Sequence, residues 1–283
     1  MHRRYGVSIS NIVLPTDFSH GSEVTFAHAL RIVLGTKGQL EILHVDREQK
    51  RVDWDSYPGI RETLCRWNVL PPDAQRSDVG KLGVHISKSA AKGVETAAAV
   101  LEHLERRDAD LVIMATHRRE GIDRWLHGNL AQNISNRAQA AALFIPYDVD
   151  GFVDLATGEV SLKSILIPID SRPNPQSAVD AVAALVEAIA PNSVEITLLH
   201  IGDPAQMPAP TLPTSEKCNW IWENRVGNVV DSIGEYASEN DSDLIVMTTD
   251  GRDGFLDAIR GTTTERVLHR AACPMLSVHV SDD

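Results

Sequence analysis

The sequence lacks the features by which several classes of protein are identified. It has three cysteines in 283 residues, at positions 65, 218 and 273, and none of them stands in the C-x-x-C or C-x-x-H spacing typical of zinc and iron–sulfur sites. No apolar run approaches the roughly 18 residues that a membrane-spanning helix needs. The basic N-terminus is not followed by the apolar stretch of a secretory signal. These absences favour free thiols in a reducing compartment, and we expect a cytoplasmic protein.

Basic residues are also scarce. The chain has 27 Lys and Arg against 39 Asp and Glu, which gives a formal net charge of −12. A chain with this negative charge repels phosphate backbones and anionic lipid headgroups. We therefore expect neither a nucleic acid nor a membrane surface among its partners.

Four blocks of sequence occur twice, in the same order. They are residues 12–17 and 165–170, residues 43–45 and 199–201, residues 110–114 and 243–247, and residues 137–138 and 270–271. The chain is therefore predicted to contain two copies of one domain, at residues 1–147 and 163–283, joined by a polar linker at 148–162. The offset between the copies falls from 156 to 133 along the chain, so the first copy has about 23 extra residues, which we interpret as an irregular insertion.

Short apolar segments alternate with stretches of helical spacing in both copies. The predicted strands are 12–16, 40–45, 84–87, 111–115 and 142–146 in the first copy, and 165–169, 194–201, 244–248 and 275–280 in the second, with 218–224 as the candidate for its third strand. This alternation predicts an α/β fold of two tandem, doubly wound, five-stranded parallel-sheet domains. We expect the last strands of the two copies to pair, because an open sheet edge leaves backbone groups unbonded.

Candidate site residues follow the strands of the second copy, since ligands of open α/β sheets bind beyond the carboxyl ends of the strands. Glycines there let backbone amides turn towards an anion, and a glycine before a helix brings phosphate close to free amides. The candidates for nucleotide binding are Asp170, Ile201, Thr248, Gly251, Gly254, Gly261, Thr262 and Thr263. A structural interpretation stays open for each, because glycines near strand ends are often turns, and Asp17, Asp170 and the threonines can simply cap helices.

The two copies resemble universal stress protein (UspA-like) domains, which have the adenine-nucleotide alpha-hydrolase-like fold. The residues that carry the resemblance are 12–19, 43–45, 110–114, 243–247 and 251–276. Members of this family that bind ATP share the pattern G-x2-G-x9-G-[S/T]. The resemblance implies a stress-response protein whose two domains pack as a pseudo-dimer, in a monomer or a homodimer.

The glycine pattern is nearly complete in the second copy and degenerate in the first. The second copy has Thr248 in place of the first glycine and retains the others at positions 251 and 261. The first copy has Ala115 and Arg118 at the first two glycine positions, and Asn129 after the third. Its corresponding candidates are Asp17, Val45, Ala115, Gly128 and Asn129. We expect nucleotide to bind more tightly to the second copy.

Motifs of the common nucleotide-dependent enzymes are absent from the sequence. There is no G-x-x-x-x-G-K-[ST], no G-x-G-x-x-G and no S-G-G-x-D-S. Residues 85–89 (HISKS) are similar to the K-M-S-K-S loop of tRNA synthetases, but the H-I-G-H partner is absent. Asp250 and Asp253 could hold Mg²⁺ or be solvated turn residues.

The sequence therefore predicts a stress-response binding or sensor protein that holds ATP, ADP or AMP in its second copy, with at most slow hydrolysis. One alternative is a nucleotide-free scaffold that acts through an unknown protein partner. The other is an enzyme acting on a small phosphorylated ligand.

Overall fold

The computed structural model describes residues 8–46, 52–92, 96–116, 140–249 and 263–280. Its strands are β1 (Asn11–Thr16), β2 (Gln39–Asp46), β3 (His85–Lys92), β4 (Leu111–Thr116), β5 (Ala141–Pro146), β6 (Ser164–Ile169), β7 (Val194–Ile201), β8 (Cys218–Arg225), β9 (Leu244–Thr249) and β10 (Met275–His279). Its α-helices are α1 (His20–Thr36), α2 (Ile60–Arg66), α3 (Arg76–Lys81), α4 (Thr96–Arg107), α5 (Gln176–Ile189), α6 (Val229–Glu239) and α7 (Thr263–Arg270), and two 3-10 turns lie at Trp54–Ser56 and Pro204–Gln206. No helix in these ranges is long and apolar enough to cross a bilayer.

The strands form one ten-stranded sheet in the order β3-β2-β1-β4-β5-β10-β9-β6-β7-β8. We call the β1–β5 part the first half and the β6–β10 part the second half. Within each half all neighbouring strands are parallel and follow the same order, with the first strand between the second and the fourth. The halves join through an antiparallel ladder in which Leu276 lies opposite Leu143. The predicted pairing of the two last strands is confirmed.

Both faces of the sheet are covered, as the apolar strands predicted. Odd-numbered and even-numbered residues of a strand pack into two separate cores, because successive side chains of a strand point to opposite faces of the sheet. On β4, for example, Leu111 and Ile113 belong to one core, and Val112 and Met114 to the other. The first core spans both halves and contains α1 and α5, which pack against each other. We call this the shared face; α4, α6 and α7 lie on the opposite face.

The insertion of the first half is more ordered than its sequence indicated. It contains the 3-10 turn at Trp54–Ser56 and the short helices α2 and α3. Trp67, directly after α2, is buried, and its indole Nε1 donates to the carbonyl oxygen of Leu155 at 3.1 Å. The insertion therefore adds a layer over the shared core.

The linker is also packed rather than purely polar. Phe152, Val153 and Leu162 are buried in the shared core, and Val153 forms an isolated bridge with Val160. Their apolar side chains are too widely spaced to give a helix or strand pattern, so the sequence indicated a polar connector with turns. The structure shows that this segment helps to cover the sheet.

One aspartate in each repeat has a role that the sequence did not indicate. The Oδ2 of Asp110 accepts from the backbone N–H groups of Ser10 and Asn11, at 3.1 and 2.9 Å. The Oδ2 of Asp243 accepts from those of Lys163 and Ser164, at 2.6 and 2.9 Å. In both halves the residue before the fourth strand thus satisfies free amides at the start of the first strand.

The predicted strand limits differ little from the observed ones. The third strand of the first half extends to Lys92 instead of residue 87, because its parallel pairing with β2 continues over eight residues. The candidate third strand of the second half is confirmed as β8. Between the fourth and fifth strands of the first half the sequence also predicts a helix over 130–138, and this segment lies outside the described residues.

Candidate functional site

A cleft of about 280 Å³ lies at the carboxyl ends of the second half's strands. This volume is close to the lower end of typical small-molecule sites, roughly 300 to 1,000 Å³. The cleft is at the reversal of strand order between β6 and β9, where open α/β sheets bind ligands. Its lining comes from the ends of three strands, the loop after β6 and the first turns of two helices: Pro168, Ile169, Asp170, Arg172, Pro173, Ile201, Val229, Ile233, Met247, Thr248, Thr249, Thr263 and Thr264.

Four of the sequence-predicted site residues meet in this cleft. Asp170 follows β6, Ile201 ends β7, Thr248 lies near the end of β9, and Thr263 begins α7. They are separated by up to 93 positions in the sequence, so only the fold brings them together. Gly251, Gly254, Gly261 and Thr262 lie outside the described residues.

The lining combines an apolar part with hydroxyl groups. Ile201, Ile233 and Met247 provide apolar surface on the face that carries α6 and α7. Thr249 and Thr264 are buried beside the cleft. The Oγ1 of Thr248 is buried and has no hydrogen-bond partner among the residues that the structure describes. A buried hydroxyl without a partner is unfavourable unless something else bonds to it, so this site has unused hydrogen-bonding capacity.

Asp170 lies at the open side of the cleft with its side chain exposed. One carboxylate oxygen accepts from the backbone N–H of Ser171 at 2.6 Å. The other oxygen has no hydrogen bond within the described part of the chain, which leaves it available to a ligand hydroxyl or amine. Arg172, which is also exposed, is the one cationic side chain among the described residues that line the cleft.

Several lining residues were missed by the sequence reasoning. Arg172, Thr249 and Thr264 are each next to a predicted residue, or two positions from it, and the alternation along β9 could have suggested Met247. Ile233 has no such signal, because it comes from a helix whose position over the sheet is set by tertiary packing.

The corresponding aspartate of the first half has a different environment. Oδ1 of Asp17 accepts from the backbone N–H of Ser19 at 3.0 Å and from the hydroxyl of Ser22 at 2.8 Å, and it is also bonded to the Ser19 hydroxyl. Burial by itself raises the pKa of Asp17, but these hydrogen bonds outweigh it and hold the pKa below its ordinary value. These bonds order the turn that leads into α1, but they go to the N-cap residue Ser19 and to a side chain and not to the first-turn amides of the helix, so the capping interpretation is wrong for Asp17. Less of this carboxylate is free for a ligand.

The other first-half candidates are only partly described. Val45 and Ala115 are half-buried at the ends of β2 and β4, and Val45 packs on the core opposite the shared face. Gly128 and Asn129 lie outside the described residues, as does Arg118.

An aromatic cluster covers the carboxyl ends of β1 and β2 on the shared face. Phe18 stacks on His44 with ring centroids 4.5 Å apart and contacts Trp54 and Tyr57 of the insertion. The ammonium of Lys88 lies 5.2 Å from the Trp54 ring centroid. The second half has Ser171 where the first has Phe18. The insertion therefore closes this end of the first half with aromatic side chains.

The repeated histidines are structural. The Nδ1 atoms of His44 and His200 lie 2.9 and 3.2 Å from the carbonyl oxygens of Thr16 and Ile169, the last residues of β1 and β6. Within the described residues no group of three or more His, Cys, Asp and Glu side chains could hold a metal ion. Asp250 and Asp253, the candidates for Mg²⁺, lie outside those residues.

Comparison with known proteins identifies the family. The chain matches the profile of the Universal stress protein family over residues 8–146 and 216–279, which together exceed half its length. The chain therefore belongs to the universal stress protein family. A search of curated proteins gave no match.

Solved structures with a similar fold span almost the entire chain. A universal stress protein from Archaeoglobus fulgidus is 17% identical with a TM-score of 0.60, and the alignment covers 97% of this chain and 98% of that one. A functionally unknown protein from Pseudomonas aeruginosa is 14% identical with a TM-score of 0.59, over 97% and 94% of the two chains. A putative universal stress protein from another Pseudomonas aeruginosa strain is 14% identical with a TM-score of 0.55, over 96% and 94%. At these identities the likeness shows the fold.

Proposed function

We propose that the chain is a stress-response binding protein that holds an adenine nucleotide, ATP, ADP or AMP, in the cleft of its second half, with little or no hydrolysis. The two domains would be residues 1–147 and 163–283, with 148–162 between them. The observation that carries the proposal is the meeting of Asp170, Ile201, Thr248 and Thr263 in one cleft at the reversal of strand order.

The chemistry of the lining fits the parts of a nucleotide. Ile201 and Met247 offer apolar contact to a base. The free oxygen of Asp170 can accept from a ribose hydroxyl or an adenine amine. Helix α7 begins at the cleft wall with Thr263, so its first-turn amides and the positive end of its dipole suit a phosphate.

Slow hydrolysis follows from the same lining. Asp170 is the one carboxylate among the described lining residues, and in this proposal it binds the nucleoside. A second group would have to orient the attacking water, and the described lining offers only threonine hydroxyls and an arginine for that role.

The decisive measurement is mass spectrometry of ligand released by heat from freshly purified protein. We expect an adenine nucleotide, together with a thermal shift on adding ATP, ADP or AMP, with and without Mg²⁺. Absence of both effects would contradict the proposal and support the nucleotide-free scaffold. Turnover above about one per second, the low end of ordinary enzymes, would support the enzyme alternative.

A matched pair of variants tests the position of the site. Asp170→Asn should weaken ATP binding about tenfold or more, because a carboxylate acceptor is lost, whereas Asp17→Asn in the first half should leave the affinity unchanged. Calorimetry on the full chain measures both. Equal effects of the two substitutions would show that the site is not confined to the second half.

A further inference from the structure

The large exposed apolar side chains of the described residues lie together at one edge of the sheet. They are Trp222, Val226 and Val229, with relative exposures of 41%, 85% and 42%. All three fall within eight consecutive residues, at the end of the outermost strand β8 and the start of α6. Clustered apolar exposure of this kind is typical of an interaction surface.

The backbone of β8 is open on the side away from β7. The carbonyl oxygens of Lys217 and Arg225 accept from Val194 and Gly202, on the β7 side. Because backbone direction alternates along a strand, the odd-numbered residues of β8 bond to β7, and the even-numbered ones direct their N–H and C=O groups outwards. Within the described residues β8 pairs with β7 alone. Trp222 and Asn224 thus offer hydrogen bonds to an added strand.

The other outer edge is protected, unlike that of β8. Strand β3 ends in the exposed Lys92 and has otherwise mostly small or polar side chains, while Lys88 lies over the Trp54 ring. Lysines on an edge strand oppose the addition of another strand. The contrast indicates that the β8 edge is the one suited to association.

The sequence of β8 is complementary to itself in one antiparallel register. With Asn224 on a two-fold axis, its outward N–H and C=O groups bond to those of Asn224 in the second copy. Glu223 then lies opposite Arg225 of the second copy, and Trp222 opposite Val226. Registers centred on neighbouring residues lose this complementarity, and one centred on Glu223 would place two carboxylates together.

The two charged residues are placed for this pairing. Arg225 is held by Glu239, 2.6 Å from its guanidinium, and lies over the Tyr236 ring at 4.7 Å. Glu223 makes no ion pair with any residue that the structure describes. Since Arg225 is already oriented and retains free N–H donors, a second carboxylate can join it with little loss of side-chain freedom.

We propose that the β8 edge binds a second copy of the same chain, giving a two-fold dimer in which the sheets of both molecules continue into each other. The same kind of strand pairing already occurs inside the molecule, because an antiparallel ladder between β5 and β10 joins the two halves. The proposal is independent of nucleotide binding.

The test is sedimentation velocity of the full chain over a hundredfold range of concentration. The wild-type chain should dimerise reversibly. Trp222→Lys and Glu223→Arg should each raise the dimer dissociation constant about tenfold or more, because they remove apolar contact or place like charges together. The triple variant Glu223→Arg/Arg225→Glu/Glu239→Arg should restore dimerisation, since it also reverses the carboxylate that holds Arg225 and so re-forms every pair with reversed signs.

Ala90→Lys on the opposite edge is the matched control and should not change association, because Ala90 is exposed on β3. Circular dichroism and melting temperature confirm that each variant is folded. A wild-type chain that stays monomeric throughout would overturn the proposal. A dimer that is unaffected by Trp222→Lys and Glu223→Arg would also overturn it. So would a folded charge-reversed variant that fails to regain association.

Discussion

His28 of helix α1 accepts a hydrogen bond from the backbone N–H of Phe152 at 3.0 Å, through its Nε2 atom. Its Nδ1 atom lies 2.8 Å from the carbonyl oxygen of Val24 and therefore donates to it. The imidazole is completely buried, and Phe152 packs edge-on against it. A neutral histidine thus attaches the linker to the first half.

This arrangement predicts a pH dependence of stability. Burial lowers the pKa of His28 from 6.5 to about 4. Between these values the unfolded chain binds a proton that the folded chain does not, so the free energy of unfolding falls as pH drops below 6.5. The full effect is about 3 kcal/mol, from about 1.4 kcal/mol for each pH unit. It is absent above pH 6.5.

Urea unfolding of the wild type and of His28→Gln, at pH 7.5 and at lower pH, measures this effect. We expect the variant to be less stable at pH 7.5 and to lose less stability on acidification. Burial also lowers the pKa of His279, which contributes in the same direction to both proteins and cancels in the comparison. Parallel pH profiles for the two proteins would contradict the prediction.

A pair of helix glycines tests the contact between the halves. A Cβ on Gly35 of α1 would overlap the backbone carbonyl oxygen of Ala188 in α5 of the second half. A Cβ on Gly234 of α6 would meet nothing within 4 Å. Alanine is favoured over glycine in a helix by about 1 kcal/mol, so Gly234→Ala should stabilise the chain slightly. Gly35→Ala should destabilise it by about 1 to 3 kcal/mol, because the helices must move apart. Denaturant unfolding gives both values, and the same sign for both would show that the contact is not tight.

The repeated aspartates provide a third prediction. Asp243→Asn should destabilise the chain by about 1 to 2 kcal/mol, since an amide that accepts from the Lys163 and Ser164 N–H groups replaces a charged acceptor. Asp241→Asn is the matched control, because Asp241 is exposed with φ of 46°, a conformation that asparagine also adopts readily. Melting curves should separate the two variants by several degrees. Similar curves would show that the bonds at β6 contribute little.

A fourth prediction concerns the glycine before α7. On the proposed function, in which the turn before α7 binds phosphate, Gly261→Val should abolish nucleotide binding and leave the fold intact, because a valine side chain would compete with the phosphate for space. Loss of two charge-assisted amide contacts, at about 1.5 to 3 kcal/mol each, weakens binding by about two to four orders of magnitude. Gly128→Val, the corresponding change in the first half, should leave the affinity unchanged. A Gly261→Val protein that melts earlier but binds ATP normally would show that Gly261 is only a turn.

The strands and their pairing could be predicted from the sequence, but the packing of the insertion and linker could not. Repeated apolar blocks such as residues 12–17 and 165–170 were enough for the sheet, because parallel strands buried on both faces have a strong local pattern. Phe152 and Trp67 gave no such signal. Their burial depends on distant partners, Leu155 for Trp67 at a separation of 88 positions and His28 for Phe152 at a separation of 124.

The residues of the candidate site were likewise only partly predictable from the sequence. Asp170, Ile201 and Thr248 follow directly from strand ends, because the carboxyl ends of parallel strands meet at one edge. Ile233 required the position of α6 over the sheet, which is set by side-chain packing. The difference between Asp17 and Asp170 was also hidden, because it depends on serines at positions 19 and 22 that turn towards the first carboxylate.

The antiparallel ladder between β5 and β10 joins two halves encoded in one chain, so each half can change its sequence without changing the other. In a dimer of identical single-domain chains, a substitution such as serine for Phe18 would occur on both sides of the joint at once. Here the first half has Phe18 in an aromatic cluster, while the second has the exposed Ser171 between two residues that line the cleft, Asp170 and Arg172. Joining the halves in one chain also makes their pairing independent of protein concentration. The two different halves therefore stay paired with each other even in dilute solution.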